Sequence, residues 1–228
     1  MQKNLNLRRI RPILEMILPK KFLRWLAFQY GNFVPPKISF SAYGEDLIVY
    51  QHLHFLERGF YLDIGCFHPK WGSNTYLFHK KGWRGVAIDI DDYKLDYFKR
   101  ARGGQVSVIK AAVCGKTCPE KKITAYKFRS KMGWSDLNTI DEKTALNYKH
   151  RGMGSFVCED INAIGINDIL KNLPPVNFLS IDIEGTDLDI IEHLDYIRYP
   201  IQFILFEALY NFSASHGWLS PALAFARK

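Results

Sequence analysis

The sequence predicts a doubly wound α/β fold: a mostly parallel sheet with helices on both faces, in three layers. Three observations lead to it. Short runs of β-formers, each too brief for a helix and flanked by turn residues, recur as YLDIG, VAIDID and FLSIDIEG, as buried parallel strands do. Helical patterns alternate with them, as right-handed parallel crossovers require. Each run also ends in carboxylates, namely Asp63, Asp89 with Asp91, and Asp182 with Glu184. Buried carboxylates are costly unless paired or hydrogen-bonded, so acids at several strand ends imply one polar crevice at the sheet's edge, where such sheets bind ligands.

A chain of 228 residues, 47% hydrophobic, suffices for one well-buried domain with an appended segment. The division falls at Pro35-Pro36, because two prolines disfavour helix: residues 1–37 form a basic N-terminal segment and 38–228 the domain. FSAYGEDLIVYQHLHFL opens the domain with a helix. Residues 60–65 form the first strand, and Ser73 N-caps a helix of two to three turns. The second strand is 85–90. Asp92 caps DYKLDYFKRAR, which points Leu95 and Phe98 inward and sets its basic end against the helix dipole. Strands at 106–113 and 123–128 follow. Residues 129–160 are rich in Gly, Lys and Asn with weak apolar periodicity, and so read as an insertion covering the substrate. INDILKN is a short helix, 177–183 the fourth parallel strand, DLDIIEHL the next helix, and QFILFEA a fifth strand ending near Glu207. Internal repeats are not evident.

The net charge of +8 is unevenly placed. Residues 1–37 hold eight basic residues against one acid, Glu15, while the rest of the chain is nearly neutral at +1. Nucleic acid is therefore not an expected partner. In the basic segment Ile10, Ile13, Leu14 and Ile17 share a helical face, and KKFLRWLAF interleaves Lys20, Lys21 and Arg24 with Phe22, Trp25, Leu26 and Phe28. Such a segment either packs as surface helices or lies in a membrane interface, where each basic residue contributes about 1 kcal/mol. With neither a bilayer-length apolar run nor a signal peptide in the sequence, the expected location is the cytoplasm, with peripheral contact at the inner membrane face. Cys66, Cys114, Cys118 and Cys158 lack zinc or redox spacing and are expected to be reduced.

Asp89 follows Asp63 by one strand-helix-strand unit and is positioned to accept hydrogen bonds from both ribose hydroxyls of an adenosine-type ligand. The first loop, GCFHPKWGSN, has no glycine between Gly65 and Gly72. A pyrophosphate needs close backbone approach and finds little support there. S-adenosylmethionine has no phosphate and carries a sulfonium, which suits Asp63, Asp182, Phe67 and Trp71.

The segments FSAYGEDL, YLDIGCFHPKWGSNTYLFHKKGWRGVAIDID, DLNTID (136–141), FLSIDIEGTDLDII and FILFEA together resemble the FkbM family of S-adenosylmethionine-dependent methyltransferases, over roughly residues 40–208. The resemblance implies a class I, Rossmann-like methyltransferase acting on hydroxyls of sugars, polysaccharide precursors or similar small molecules. It further implies that Asp63 and Gly65 form the cofactor loop, Asp89 holds the ribose, Asp182 borders the methionine end and Glu45 has a site role. Cys66, Phe67, Ile90 and Ala112 complete the expected cofactor site, with Asn74 beside its helix's amide end to bind the cofactor's carboxylate. Ala42 departs from the glutamine common in the family's opening motif, and the stretch after Glu207 is too short for the usual helix, leaving GWLSPALAFARK as a compressed hairpin.

Methyl transfer to a hydroxyl needs donor and acceptor aligned and one proton accepted. His68, fixed by Pro69, is one candidate base; Asp182 and Glu184 are the others. The two acids alternate along a strand and face opposite ways unless the chain turns, which Gly185 permits. With Asp89 they offer oxygen ligands to Mg²⁺, although the metal-free reading is preferred. Asp46 reads as structural. The rival readings are a nicotinamide-dependent oxidoreductase on the same sheet and a degenerate family member serving as a membrane-surface or partner-binding scaffold.

Overall fold

The computed structural model describes residues 19–22, 37–115, 121–129, 135–208 and 222–226. The apolar face of residues 10–17, most of KKFLRWLAF, the Pro35-Pro36 link and Cys118 lie outside them. The chain divides into two compact units, 1–38 and 39–228.

The second unit is built on strands β1 (Phe60–Ile64), β2 (Arg84–Asp89), β3 (Val106–Lys110), β7 (Phe178–Ile181) and β8 (Phe203–Ala208), all parallel in the order β3-β2-β1-β7-β8. Strand β9 (Ala222–Ala226) adds antiparallel to β8, while residues 209–221 lie outside the described set. The strand order reverses between β1 and β7. There Ile64 sits in register with both Ile88 and Ile181, so Gly65, Asp89 and Asp182 leave the sheet side by side. This is the switch point at which doubly wound sheets open a crevice.

Both sheet faces are apolar. Leu62, Ile64, Val86, Ile88, Leu179 and Ile181 point to one side, against α5 (Ile166–Lys171) and α6 (Asp187–His193). Tyr61, Ala87 and Phe178 point to the other, against α1 (Glu45–Leu53), α2 (Tyr76–Lys80) and α3 (Asp92–Arg102). The result is the expected three layers, with each fully buried aliphatic side chain contributing about 1.5–3 kcal/mol.

Local boundaries differ from the sequence expectations for identifiable reasons. Helix α2 is only five residues long and follows Thr75, because Ser73 is buried in a loop that runs on past it. Asp91, not Asp92, caps α3, its carboxylate accepting from the Tyr93 amide at 3.0 Å. The stretch 106–113 is two strands. Strand β2 turns away into α3 after Asp89, so the chain loses that partner after Ala111, whose amide donates to the Asp89 carbonyl at 3.2 Å, and β4 (Ala112–Cys114) pairs with β6 (Phe156–Gly165) instead. Strand β5 (Lys122–Phe128) joins β6 antiparallel, completing a smaller sheet in the order β4-β6-β5. Residues 129–160, expected to be irregular, thus contain helix α4 (Glu142–His150), capped by Asp141, and the start of a ten-residue strand. The basic end of α3 is not all surface either: Arg102 is buried.

Candidate active site

A crevice of about 440 Å³ opens at the carboxyl edge of the large sheet, with Gly65, Asp89 and Asp182 at its base and Ala111, Ala112 and Val113 along one wall. Its size is that of an ordinary small-molecule site. Gly65 holds a φ of +79°, and a Cβ there would lie 1.7 Å from the Asp182 carbonyl oxygen. The loops after β1 and β7 therefore meet backbone to backbone, a contact open only to glycine.

Asp89 is buried and already partnered. One oxygen accepts from the Asp91 amide at 2.8 Å and the other from Lys94 Nζ at 3.2 Å. Lys94 is 4% exposed and sits 5.6 Å from the centre of the Phe67 ring. Burial alone would lower the lysine's pKa, but the Asp89 carboxylate and its hydrogen bond outweigh that and hold it above the usual value. Burial pulls Asp89 the opposite way; the two donors on its oxygens support the ionised pair.

The chain turns sharply after Ile181. Asp187 accepts from the Ile183 and Gly185 amides at 3.3 Å each, and Glu184 and Gly185 both take positive φ. This turn swings Asp182 and Glu184 onto the same side, where Glu207 from β8 joins them. One carboxylate oxygen from each lies within 4.8 Å of the others, a group able to hold either a shared proton or a cation. Burial, then the neighbouring carboxylates, push Asp182 well above the usual range. Asp182 nonetheless exposes surface, because that surface faces the open crevice while protein packs around the rest. Glu184 is raised to about 7, chiefly by burial, with the hydrogen bond from Tyr148 opposing and Glu207, Asp187 and Asp136 adding to the rise. Tyr148, on α4, donates directly to Glu184, and Thr139 Oγ1 donates to the Glu184 carbonyl at 2.8 Å. The small sheet and its helix thus brace the acidic turn.

Of the residues singled out from sequence, Gly65, Phe67, Asp89, Ile90, Ala112, Asp182 and Glu184 line the crevice. Glu45, Asp63, Cys66, His68 and Asn74 are not in its lining. Glu45 accepts from the Tyr43 amide at 2.7 Å, and Asn74 donates to Ser180 Oγ at 3.3 Å. Asp63 is buried, accepting from Thr75 Oγ1 at 2.5 Å. Cys66 is buried too, and burial pushes its thiol well up, which leaves it inert. His68 Nδ1 accepts from the Lys70 and Trp71 amides at 3.1 and 2.8 Å, so it shapes its own loop. Asp89 is not brought to Asp182 and Glu184 as a third metal ligand; Glu207 takes that place. Lys94, Tyr148, Thr139 and Glu207's role escaped the sequence reading. One signal was present: Lys94, Phe98 and Arg102 recur every four residues on the helix face that carries Leu95. Asp46 is structural, accepting from Ser39, Ser41 and the Phe40 amide.

Residues 61–219 match the family described as the methyltransferase FkbM domain. The chain belongs to the FkbM methyltransferase family. The match covers more than half of the chain and starts at β1, so FSAYGEDL, which contributed to the resemblance, precedes it. No curated protein and no solved structure matches. Methyl transfer as the general activity, and the α/β Rossmann-like fold, follow from family and structure together. Cys66 and Cys158 are free thiols, and no helix among the described residues is long and apolar enough to cross a membrane.

Proposed function

We propose that this FkbM protein uses S-adenosylmethionine to methylate a hydroxyl, on a sugar, polysaccharide precursor or similar small molecule. The observation that carries the cofactor assignment is the charge of the crevice. Among the described residues its lining holds five carboxylates, Asp89, Asp136, Asp182, Glu184 and Glu207, against one ammonium, Lys94. Lys94 balances Asp89, and Asp182, Glu184 and Glu207, raised by burial and by one another, ionise most readily beside a cation, so the wall favours a sulfonium over a pyrophosphate and disfavours the nicotinamide reading. S-adenosylmethionine, when bound, supplies a methyl group already activated for displacement.

The residues divide the remaining work. Asp89 accepts from the ribose hydroxyls, and Ile90, Ala112 and Val113 offer an apolar wall to the base. Asp182 and the aromatic rings of Phe67 and Trp71 favour the cationic end. The acceptor's proton goes to Glu184 rather than His68, a reading supported by Glu184 lining the crevice while His68 does not and has its Nδ1 engaged in its loop. The exposed rings of Tyr43 and Trp71 at the lining's edge support an acceptor with flat apolar faces, such as a sugar. The basic residues 1–37 support peripheral contact with an anionic membrane surface. Parallel calorimetric titrations with S-adenosylmethionine and NAD test the assignment. Heat with S-adenosylmethionine alone is expected; heat with NAD alone would overturn it, and heat with neither would favour the scaffold reading.

A further inference from the structure

One wall of the cofactor crevice is a loop with no regular structure, residues 65–75, which supplies Phe67, Trp71 and Gly72. What holds it is a buried arginine from another element. Arg102, at the end of α3 and 3% exposed, donates from Nε to the Pro69 carbonyl at 2.8 Å and from Nη2 to Ser73 Oγ at 2.7 Å. Its Nη1 donates to Thr75 Oγ1 at 2.8 Å and Tyr61 Oη at 2.9 Å. Thr75 Oγ1 donates in turn to an Asp63 carboxylate oxygen, and the guanidinium lies 4.5 Å from the Phe98 ring centre. Three of the four acceptors belong to the loop. Helix α3 carries both Arg102 and Lys94, and Lys94 pairs with Asp89.

We propose that Arg102 is a positioning residue for the cofactor: its guanidinium sets the shape of the 65–75 loop, and through it the aromatic wall of the crevice. The proposal rests on the cofactor reading above. An arginine is required by the geometry. Its planar fork meets acceptors in fixed directions, whereas an ammonium offers three donors from a single point. Asp63, with no place in the crevice lining, gains a purpose as the anion beside this cation. The effect falls on binding and not on the chemical step, since no atom of Arg102 lines the crevice.

Two variants and two readouts test this. Ser73→Ala deletes the hydrogen bond from Arg102 together with the longer contacts of Ser73 Oγ to the Thr75 amide and hydroxyl, both at 3.4 Å, and leaves Asp63 its cation; Arg102→Lys keeps the charge and loses the fork. Loop shape is read by trypsin cutting after the exposed Lys70, scored by mass spectrometry, and cofactor binding by calorimetry. In Ser73→Ala cutting accelerates, the Kd for S-adenosylmethionine rises about tenfold, and kcat at saturating cofactor stays within about twofold. Arg102→Lys shows both effects more strongly. Wild-type cutting and Kd in a folded variant would overturn the proposal, as would a fall in kcat at unchanged Kd. If Arg102→Lys does not fold, Ser73→Ala decides alone. If the wild-type protein binds no S-adenosylmethionine, the cofactor reading fails, and the rate of cutting still judges the loop.

Discussion

Replacing Asp89 should harm the fold and the cofactor site by separable amounts. The carboxylate is 6% exposed, its ammonium partner Lys94 is 4% exposed, and they meet at 3.2 Å. Removing either partner strands a buried charge, which costs about 3–5 kcal/mol, while neutralising both is often nearly neutral. A domain of this kind has only about 5–15 kcal/mol in hand. Asp89→Asn and Lys94→Met should therefore each lower the urea midpoint strongly. The double variant should lose less than the two singles combined, by about 2 kcal/mol or more. Urea unfolding followed by circular dichroism gives the cycle. Calorimetry on the stable double variant, set against Lys94→Met alone because Lys94 also lines the crevice, then reads the ribose contact. Loss of hydrogen bonds to a charged acceptor at about 1.5–3 kcal/mol each predicts a Kd for S-adenosylmethionine weakened by about tenfold or more. Strict additivity of the two single variants would refute the buried pair. Wild-type affinity in the double variant would refute Asp89 as the ribose acceptor.

Further outcomes follow from the acidic turn and the loop contact beside it. Gly65→Ala meets the Asp182 carbonyl at 1.7 Å and adds strain of about 1–2 kcal/mol at positive φ; cofactor binding should vanish, and retention would deny the backbone contact. If Glu184 must be ionised to take the proton, turnover falls as pH drops through about 7, since its folded value is raised to that point. Tyr148→Phe removes the hydrogen bond that holds this value down, so the acid limb of the pH profile should move to higher pH; no movement would take the base role from Glu184. Turnover in excess chelator should be undiminished, because Tyr148 already occupies one Glu184 oxygen, and loss of activity restored by Mg²⁺ would place a cation among Asp182, Glu184 and Glu207.

The parts of this protein that were legible in sequence are those set by local rules. Strands β1, β2 and β7 announce themselves through continuous apolar runs between turn residues, and the acids that end β2 and β7 mark the crevice edge, whereas Asp63 of β1 is buried away from it. The turn at Gly185 was readable as a possibility, and it does bring Asp182 and Glu184 together. Contacts made across the fold were not readable. Glu207 joins the acidic turn only because β8 pairs beside β7, and Tyr148 only because α4 leans over it. Lys94 and Arg102 look like solvated helix charges until the helix is laid on the sheet, where both prove buried. The break at Ala111 has the same origin, since β3 ends where a neighbouring strand leaves, and no residue in VSVIKAAV signals it.

Ala111 is the single residue between two hydrogen-bonding ladders, one belonging to the large sheet and one to the small. Side chains along an extended chain alternate in direction, so deleting or inserting one residue at this joint would invert residues 112–114, turning Ala112 out of its cluster with Ile90, Ala125 and Ile161 and Val113 out of the main core. Variation at the far end of the antiparallel β5–β6 pair can lengthen or reshape the small sheet without that penalty. Family members are thus expected to differ freely at that distal end while keeping the spacing between Lys110 and Ala112 constant.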